Sequence, residues 1–230
     1  MAVYGGDMNK VLEQQCQKNG INLEYLQVSW DKTIKKYIVD EHRHIKRPED
    51  VVLWKLKTNG FQGTTRELHP IMMLLQAGCT NELEKRAQNI VFEDYRNRTF
   101  NVQVGLYQLD RKIIINSIKA VNSARLLDKW EYIYSSERVR QWFPGINRKN
   151  VAAVLDGLGK ERLIQIAEMI FDNPEDNAKG WPDVFAYDGK QLLLIEVKTT
   201  DTMRESQIYK WKHLMPKLGL DAKVICVEKV

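Results

Sequence analysis

The chain has 230 residues, of which 43% are hydrophobic and 28% are charged, and its net charge is +5. This composition is typical of a globular protein with one moderately large domain, or one domain with an appended part. No window approaches the roughly 18 consecutive apolar residues of a membrane span, and the first residues lack the apolar segment of a secretory signal. We therefore expect an intracellular protein with no membrane partner. The basic balance favours a polyanionic partner without identifying it.

The cysteine and histidine residues do not predict a metal site. Cys16, Cys79 and Cys226 are scattered, and no C-x-x-C pair exists, so we expect buried thiols in a reducing compartment. His42 and His44 share one face of a strand if that segment is extended, but no third ligand is near in sequence.

Residues 1–60 mix polar, aromatic and basic positions, and we regard them as a candidate DNA-contacting segment. A helix is expected to begin at Pro48, because proline suits a first helical turn and the acids that follow favour that end. Residues 60–65 are expected to form a loop. Helical spacing of apolar residues then predicts a helix over 66–78 and another over 82–96.

The middle of the chain is predicted to be mostly helical. Alternating apolar residues predict a strand over 100–106, and a helix is expected over 113–130. Asn150 is expected to cap a helix over 151–158 that Gly159 ends, and a further helix follows over 161–171. We therefore predict that residues 61–230 form one domain, in which 82–150 are a mostly helical insertion and 151–230 are the functional core.

The pattern changes after residue 174. Strands are predicted over 184–187 and 191–198, joined by a two-residue turn at Asp188-Gly189. A helix over 203–218 and a last strand over 222–227 follow. The fold class predicted is α/β, with a central mixed β-sheet flanked by helices and a mostly helical N-terminal part.

Two carboxylates and a lysine fall on one face of this hairpin. A two-residue turn sets Tyr187 opposite Lys190 and Asp183 opposite Leu194, so that Glu196 is a diagonal neighbour of Asp183. Lys198 shares their face, because strand side chains alternate with a period of two. Close carboxylates repel unless a cation lies between them, and oxygen ligands suit Mg²⁺ or Mn²⁺. The lysine can orient or deprotonate an attacking water, and the Val197 carbonyl is a candidate further metal ligand.

The alternative interpretation is an ordinary exposed hairpin with a Glu–Lys pair at its end. The functional interpretation is favoured because Glu-Val-Lys ends an apolar strand, follows Pro-Asp across a tight turn, and precedes an amphipathic helix.

The pattern Gly-x-Pro-Asp, hairpin, Glu-Val-Lys, then a helix carrying Gln207 resembles the PD-(D/E)XK nucleases. It is most similar to their VRR-NUC branch, the Fanconi-associated nuclease type, which has phage and bacterial members. The resemblance covers about residues 151–230 well and the rest poorly. It implies a restriction-endonuclease-like core in which Asp183 and Glu196 bind Mg²⁺ or Mn²⁺ and Lys198 is catalytic. The loop Thr199-Thr200-Asp201 departs from the glycine-containing turn common in the branch.

The resemblance also implies a glutamate on an upstream helix as a further metal ligand. Glu67 is our choice, because we expect it to open the helix over 66–78. Glu67 could equally serve the helix dipole, and Glu82, Glu84 and Glu93 compete for the role.

Gln207 is predicted to support the site by contacting the lysine or a phosphate, with a solvated helix glutamine as the alternative. Phosphate contacts are predicted for basic residues of two stretches, although solvation alone would also explain them. These candidate DNA-binding residues are Lys210, Lys212, Arg138, Arg140, Arg148 and Lys149.

The sequence thus predicts a metal-dependent deoxyribonuclease, endo- or exonucleolytic, that acts on branched or flapped DNA in repair or recombination. A restriction-type or anti-phage defence nuclease is the first alternative, and a non-catalytic DNA-binding module is the second. We expect the protein to be associated with DNA in the cytoplasm, or in the nucleus of a eukaryote. A homodimer is an arrangement that the sequence leaves open.

Overall fold

The computed structural model describes residues 5–87, 102–134, 141 and 145–230. The strands are β1 (Asn22–Asp31), β2 (Lys36–Asp40), β3 (Arg43–Ile45), β4 (Gln62–Thr64), β5 (Val184–Tyr187), β6 (Leu192–Lys198) and β7 (Asp221–Lys229). The helices are α1 (Gly5–Asn19), α2 (Pro48–Thr58), α3 (His69–Gly78), α4 (Thr80–Ala87), α5 (Val102–Tyr107), α6 (Arg111–Lys119), α7 (Ser123–Tyr134), α8 (Arg148–Ile170), α9 (Pro174–Asn177) and α10 (Glu205–His213).

The strands form a single mixed sheet in the order β3-β2-β1-β7-β6-β5-β4. Strand β7 lies between β1 and β6 and runs parallel to both. The pairings β1–β2, β2–β3, β4–β5 and β5–β6 are antiparallel. The predicted fold class, a mixed sheet flanked by helices, is confirmed.

The chain divides into two compact units. One unit combines Met1–Glu67 with Lys179–Val230, and the other is Leu68–Ala178. The N-terminal residues belong with the sheet because β1 forms a long parallel ladder with β7. Much of the helical part of the fold lies in Leu68–Ala178, which includes the predicted helical stretch. Strands β1, β2, β3 and β4 were not predicted, and β4 lies where a loop over 60–65 was expected.

Both faces of the sheet are buried around the strands that carry the candidate site. One face packs on α2, whose Val51 and Val52 are each 1% exposed and belong to one apolar cluster with Ile195 and Val197 of β6. A second cluster joins residues of α1, α10 and β7, among them Leu12, Cys16, Met203, Trp211 and Cys226. Burying apolar side chains of this size contributes roughly 1.5–3 kcal/mol each. The candidate site thus lies on strands that are held from both sides.

The register of the β5–β6 hairpin differs from the predicted one by two residues. Tyr187 lies opposite Leu192, so four residues rather than two connect the strands. The Asp188 side chain causes the difference, because its Oδ1 accepts hydrogen bonds from the backbone N–H groups of Lys190 and Gln191, at 2.8 and 2.9 Å. A shift of two residues preserves the side-chain faces. Continued by one residue, the observed register brings Asp183 directly opposite Glu196.

Gly63 lets β4 approach β5 closely at the edge of the sheet. A Cβ atom at this position would lie 2.0 Å from the Phe185 carbonyl oxygen and 2.8 Å from the Ala186 Cα. Any larger residue would therefore push β4 away from the strand that follows Asp183.

The unit formed by Leu68–Ala178, called the helical unit below, agrees with the sequence-based prediction at some points and differs from it at others. Gly159 interrupts α8 with φ 73°, as predicted, but the helix is capped by Asn147, whose side chain accepts from the Asn150 N–H. Residues of the predicted strand over 100–106 lie in α5 where they are described, because tertiary packing outweighs strand propensity. The predicted helix over 113–130 is two helices, since Asn122 accepts from the Arg125 N–H and starts α7.

Within the described ranges, no helix is long and apolar enough to cross a membrane.

Candidate active site

Asp183 lies one residue before β5, at the end of the sheet where the hairpin strands separate. Its Oδ2 accepts a hydrogen bond of 2.8 Å from the backbone N–H of Val197. That bond satisfies a backbone N–H of β6 beyond the first residue of β5, where no strand residue faces it. It also fixes the Asp183 carboxylate beside the last residues of β6.

Glu196 carries a deeply buried carboxylate, 2% exposed as a residue. Its Oε1 lies 2.9 Å from the Lys198 Nζ and also accepts a hydrogen bond from the Gln207 side-chain amide. Its Oε2 is buried and has no hydrogen-bond partner among the residues that the structure describes. Buried carboxylate oxygens are rarely left unsatisfied, so this oxygen is available for a further ligand.

Lys198 is also buried, at 4% exposed, and is surrounded by acceptors. Besides Glu196, its Nζ lies 3.2 Å from the Asp201 Oδ2 and 3.3 Å from the Gln207 Oε1. Asp201 was not predicted as part of the site. The spacing of Asp201 from Lys198 could have indicated this contact, because an acid three residues after a strand lysine can turn back towards the lysine across a short loop.

Gln207 connects Glu196, Lys198 and the start of α10. Its amide nitrogen donates to Glu196, while its Oε1 accepts from the backbone N–H of Arg204 at 2.8 Å and from Lys198. The side chain is 7% exposed, so it is not a solvated helix glutamine. With both ends of the amide engaged, Gln207 fixes the carboxylate and the ammonium relative to each other.

Burial and neighbouring acids shift the pKa values of both carboxyl groups upwards. Burial, and then the charges of Glu49 and Glu67, raise the pKa of Asp183 to about 6, although the Val197 hydrogen bond opposes the shift. Burial, and then the charge of Asp183, raise the pKa of Glu196 to about 8 despite its contact with Lys198. Burial disfavours the charged form of Lys198, but Glu196 and Asp201 prevail and raise its pKa. In the metal-free site the surroundings thus disfavour the ionised form of both carboxyl groups, whereas the lysine keeps its proton.

Two upstream glutamates lie near enough to act electrostatically on Asp183. Glu67 does not open a helix as predicted, because α3 begins at His69 and Glu67 is an exposed residue in the connection before it. Its backbone has φ 44°, uncommon for a residue with a side chain, and its N–H donates to the Asp183 carbonyl at 3.4 Å. The strained connection therefore brings Glu67 to Asp183 by its main chain.

The second upstream acid, Glu49, was missed by the sequence analysis. It lies in the first turn of α2 with its side chain 23% exposed. The charge of Glu49 raises the pKa of Asp183 more than the charge of Glu67 does. Pro48-Glu49-Asp50 predicted only a helix start, and nothing in the sequence placed that helix end beside Asp183. The competitors Glu82 and Glu84 lie in α4 of the helical unit, and Glu93 lies outside the described residues.

The donor set fits a hard divalent cation. Asp183 and Glu196 are oxygen donors, their repulsion disfavours two charges without a counterion, and the Glu196 Oε2 lacks a partner. Among the described residues, no group of three or more His, Cys, Asp or Glu could hold a metal ion. These two carboxylates would therefore need water or phosphate oxygens to complete the coordination shell. Glu67 and the Val197 carbonyl remain predicted contributors, and Glu49 is a further candidate because of its place near Asp183.

The candidate DNA-binding residues of α10 have different surroundings. Lys212 is exposed, but Lys210 is only 3% exposed, with its ammonium 5.9 Å from the centre of the Trp181 ring. Lys210 therefore does not present its charge on the surface of this unit.

The candidate residues of the helical unit are also placed in part. Arg148 forms ion pairs of 2.8 Å with Asp128 and 2.6 Å with Glu131, so its charge is partly neutralised within the unit. Lys149 is exposed, and Arg138 and Arg140 lie outside the described residues.

Comparison with known proteins finds a likeness in structure but not in sequence. No family model and no curated protein matches the chain. A crystal structure of paFAN1 bound to 2-nt 5′ flap DNA with a gap is similar with a TM-score of 0.62 at 15% identity over 96% of this chain. A second, of paFAN1 bound to 1-nt 5′ flap DNA with a gap, has a TM-score of 0.52 at 14% identity over the same share.

The likeness covers only part of the larger protein. This chain spans 42% of the paFAN1 chain in each structure. At this level of identity the comparison establishes the fold, which is the fold of that region of paFAN1.

Proposed function

We propose that the protein is a metal-dependent deoxyribonuclease that hydrolyses DNA phosphodiester bonds and belongs to the VRR-NUC type. The observation that supports this proposal best is the joint burial of Glu196, Lys198 and Gln207 beside the half-buried Asp183 at one end of a hairpin, with one Glu196 oxygen that has no hydrogen-bond partner among the described residues. Structural stability alone gives no reason to bury this arrangement, since buried ion pairs contribute little net stability.

In the proposed reaction, Asp183 and Glu196 hold Mg²⁺ or Mn²⁺, which supplies a Lewis acid for the phosphate and for an attacking water. In the metal-free site the contacts of Lys198 with Glu196 and Asp201 raise its pKa, so its ammonium is a hydrogen-bond donor and a positive charge beside the carboxylates. Its ammonium stabilises the negative charge that develops on the phosphate oxygens. Gln207 keeps the ammonium and the Glu196 carboxylate in one orientation throughout.

The likeness to paFAN1 supports flapped DNA as the substrate class for this proposal, and branched DNA in general is the broader expectation. A function in repair or recombination follows from that substrate, whereas a restriction-type or defence nuclease would cut linear duplex. We propose that Lys212 and Lys149, which are exposed, contact phosphates. The homodimer stays a prediction, and the proposed site uses residues of one chain.

The proposal is tested by cleavage of linear, 5′ flapped, gapped and four-way DNA with Mg²⁺ or Mn²⁺. Wild type is compared with Asp183→Asn and Lys198→Met. The matched controls are Asp221→Asn and Lys190→Met, two exposed positions of the same sheet and hairpin. We expect cleavage by wild type and both controls and none by the site variants. Equal cleavage by the site variants would refute the site, and DNA binding without cleavage under both metals would favour a binding module.

A further inference from the structure

Helix α1 is joined to the loop that follows the catalytic strand by a pair of reciprocal hydrogen bonds. The Gln15 Nε2 donates to the Met203 carbonyl at 2.8 Å, and the Met203 N–H donates to the Gln15 Oε1 at 2.8 Å. A side-chain amide here bonds a single backbone residue as a neighbouring strand would. The two partners are far apart in sequence, so the contact is a tertiary one.

The loop that Gln15 holds, residues 199–204, has no helix or strand of its own. It is fixed instead by contacts with residues of the candidate site. Asp201 contacts the Lys198 ammonium, and the Arg204 N–H donates to the amide oxygen of Gln207. The loop therefore carries one acceptor for the lysine and one anchor for the glutamine, on either side of Met203.

Apolar packing brings the same face of α1 to the loop. Leu12 and Cys16, three residues before and one after Gln15, are buried in one cluster with the Met203 side chain. Leu12 lies three residues before Gln15 and four before Cys16, and residues at these two spacings are neighbours on the surface of a helix. Met203 is 3% exposed, so both its backbone and its side chain are held by α1.

We propose that Gln15 is a positioning residue for Lys198: by fixing Met203, α1 holds the loop that keeps Asp201 against the lysine and Gln207 in register. This inference rests on the proposed nuclease function. Gln15 touches none of the site residues directly and acts through the main chain of the loop. It makes the N-terminal helix part of the catalytic apparatus rather than only a cover for the sheet.

The experiment compares Gln15→Met, which keeps the shape of the side chain and removes both hydrogen bonds, with Gln14→Met. Gln14 is the exposed neighbour on the same helix, so its substitution controls for the change in residue type. Two properties are measured: kcat and KM on gapped flap DNA, and amide hydrogen exchange of the 199–204 peptide by mass spectrometry. We expect Gln15→Met to lower kcat by roughly ten- to a hundredfold at unchanged KM. We also expect faster exchange in the loop of that variant only.

A second variant, Gln15→Glu, covers the case in which Gln15→Met does not fold. Its carboxylate still accepts from the Met203 N–H, but its second oxygen faces the Met203 carbonyl oxygen and repels it, so we expect a loss of kcat comparable to that of Gln15→Met and faster exchange in the loop. A role in stability alone would lower Tm and leave kcat unchanged, and that result overturns the proposal. If wild type cleaves no DNA, the proposed function fails, and the exchange measurement still decides whether Gln15 holds the loop. Unchanged exchange in the variants overturns the inference in that case.

Discussion

The buried carboxyl group of Glu196 makes the stability of the metal-free protein depend on pH. Its pKa is raised from 4.5 to about 8 in the folded protein, so the folded state binds this proton more tightly than the unfolded chain does. The protonated Glu196 therefore stabilises the folded state fully at pH values below the pKa of the unfolded chain. This stabilisation is lost as the pH rises through the pKa of the folded protein. Between pH 5 and pH 8 this shift corresponds to a loss of about 3 kcal/mol in the free energy of unfolding.

The prediction concerns the substitution Glu196→Gln, which removes the titrating group and keeps its size. In EDTA, we expect the free energy of unfolding of wild type to fall by about 3 kcal/mol relative to the variant between these two pH values. The assay is urea unfolding followed by tryptophan fluorescence at several pH values. Glu205→Gln, at an exposed position of α10, is the control and should follow the wild-type curve.

Parallel pH curves for wild type and Glu196→Gln would refute the reasoning. They would mean that the carboxyl group ionises in the folded protein as easily as in the unfolded chain. The repulsion from Asp183 would then not be the reason why the site attracts a cation.

Three further predictions follow from the same geometry. Asp183→Asn should weaken Mn²⁺ binding by more than about tenfold in calorimetry, and an unchanged affinity would remove Asp183 from the metal ligands. In wild type, Mn²⁺ affinity should rise between pH 6 and pH 8, because Asp183 and Glu196 lose their protons over that interval; a flat profile contradicts the raised pKa values. Gly63→Ala should lower the free energy of unfolding by about 1–3 kcal/mol or more, because its Cβ would meet the Phe185 carbonyl oxygen; thermal unfolding close to that of wild type would show that β4 can move aside.

The sequence was sufficient for the hairpin strands and for the face that the site residues share. Side chains alternate between the two faces of a strand with a period of two, so the predicted face stays correct although the predicted turn was wrong by two residues. The turn itself was predicted from Asp188-Gly189, and the error arose because the Asp188 side chain bonds the backbone of Lys190 and Gln191 instead. A local side-chain interaction of this kind competes with a standard turn and leaves no distinct trace in the sequence.

What the sequence could not provide are the contacts made across long separations. The N-terminal strands were missed because β1 is defined by its pairing with β7, at the other end of the chain. Glu49 and Gln15 were missed for the same reason, since each has an ordinary local environment in its own helix. Only the tertiary structure brings Glu49 towards Asp183 and Gln15 to Met203.

The helical unit enters the chain between β4 and β5, two strands that are direct neighbours in the sheet. The hydrogen bond from the Glu67 N–H to the Asp183 carbonyl lies close to both junctions, so the main chain leaves the sheet and returns to it at nearly the same place. An insertion whose ends nearly meet can change in length or content without altering the strands that hold the catalytic groups. Under the proposed function, the inserted helices could differ from one nucleic-acid substrate to another while Asp183, Glu196 and Lys198 of the hairpin stay the same.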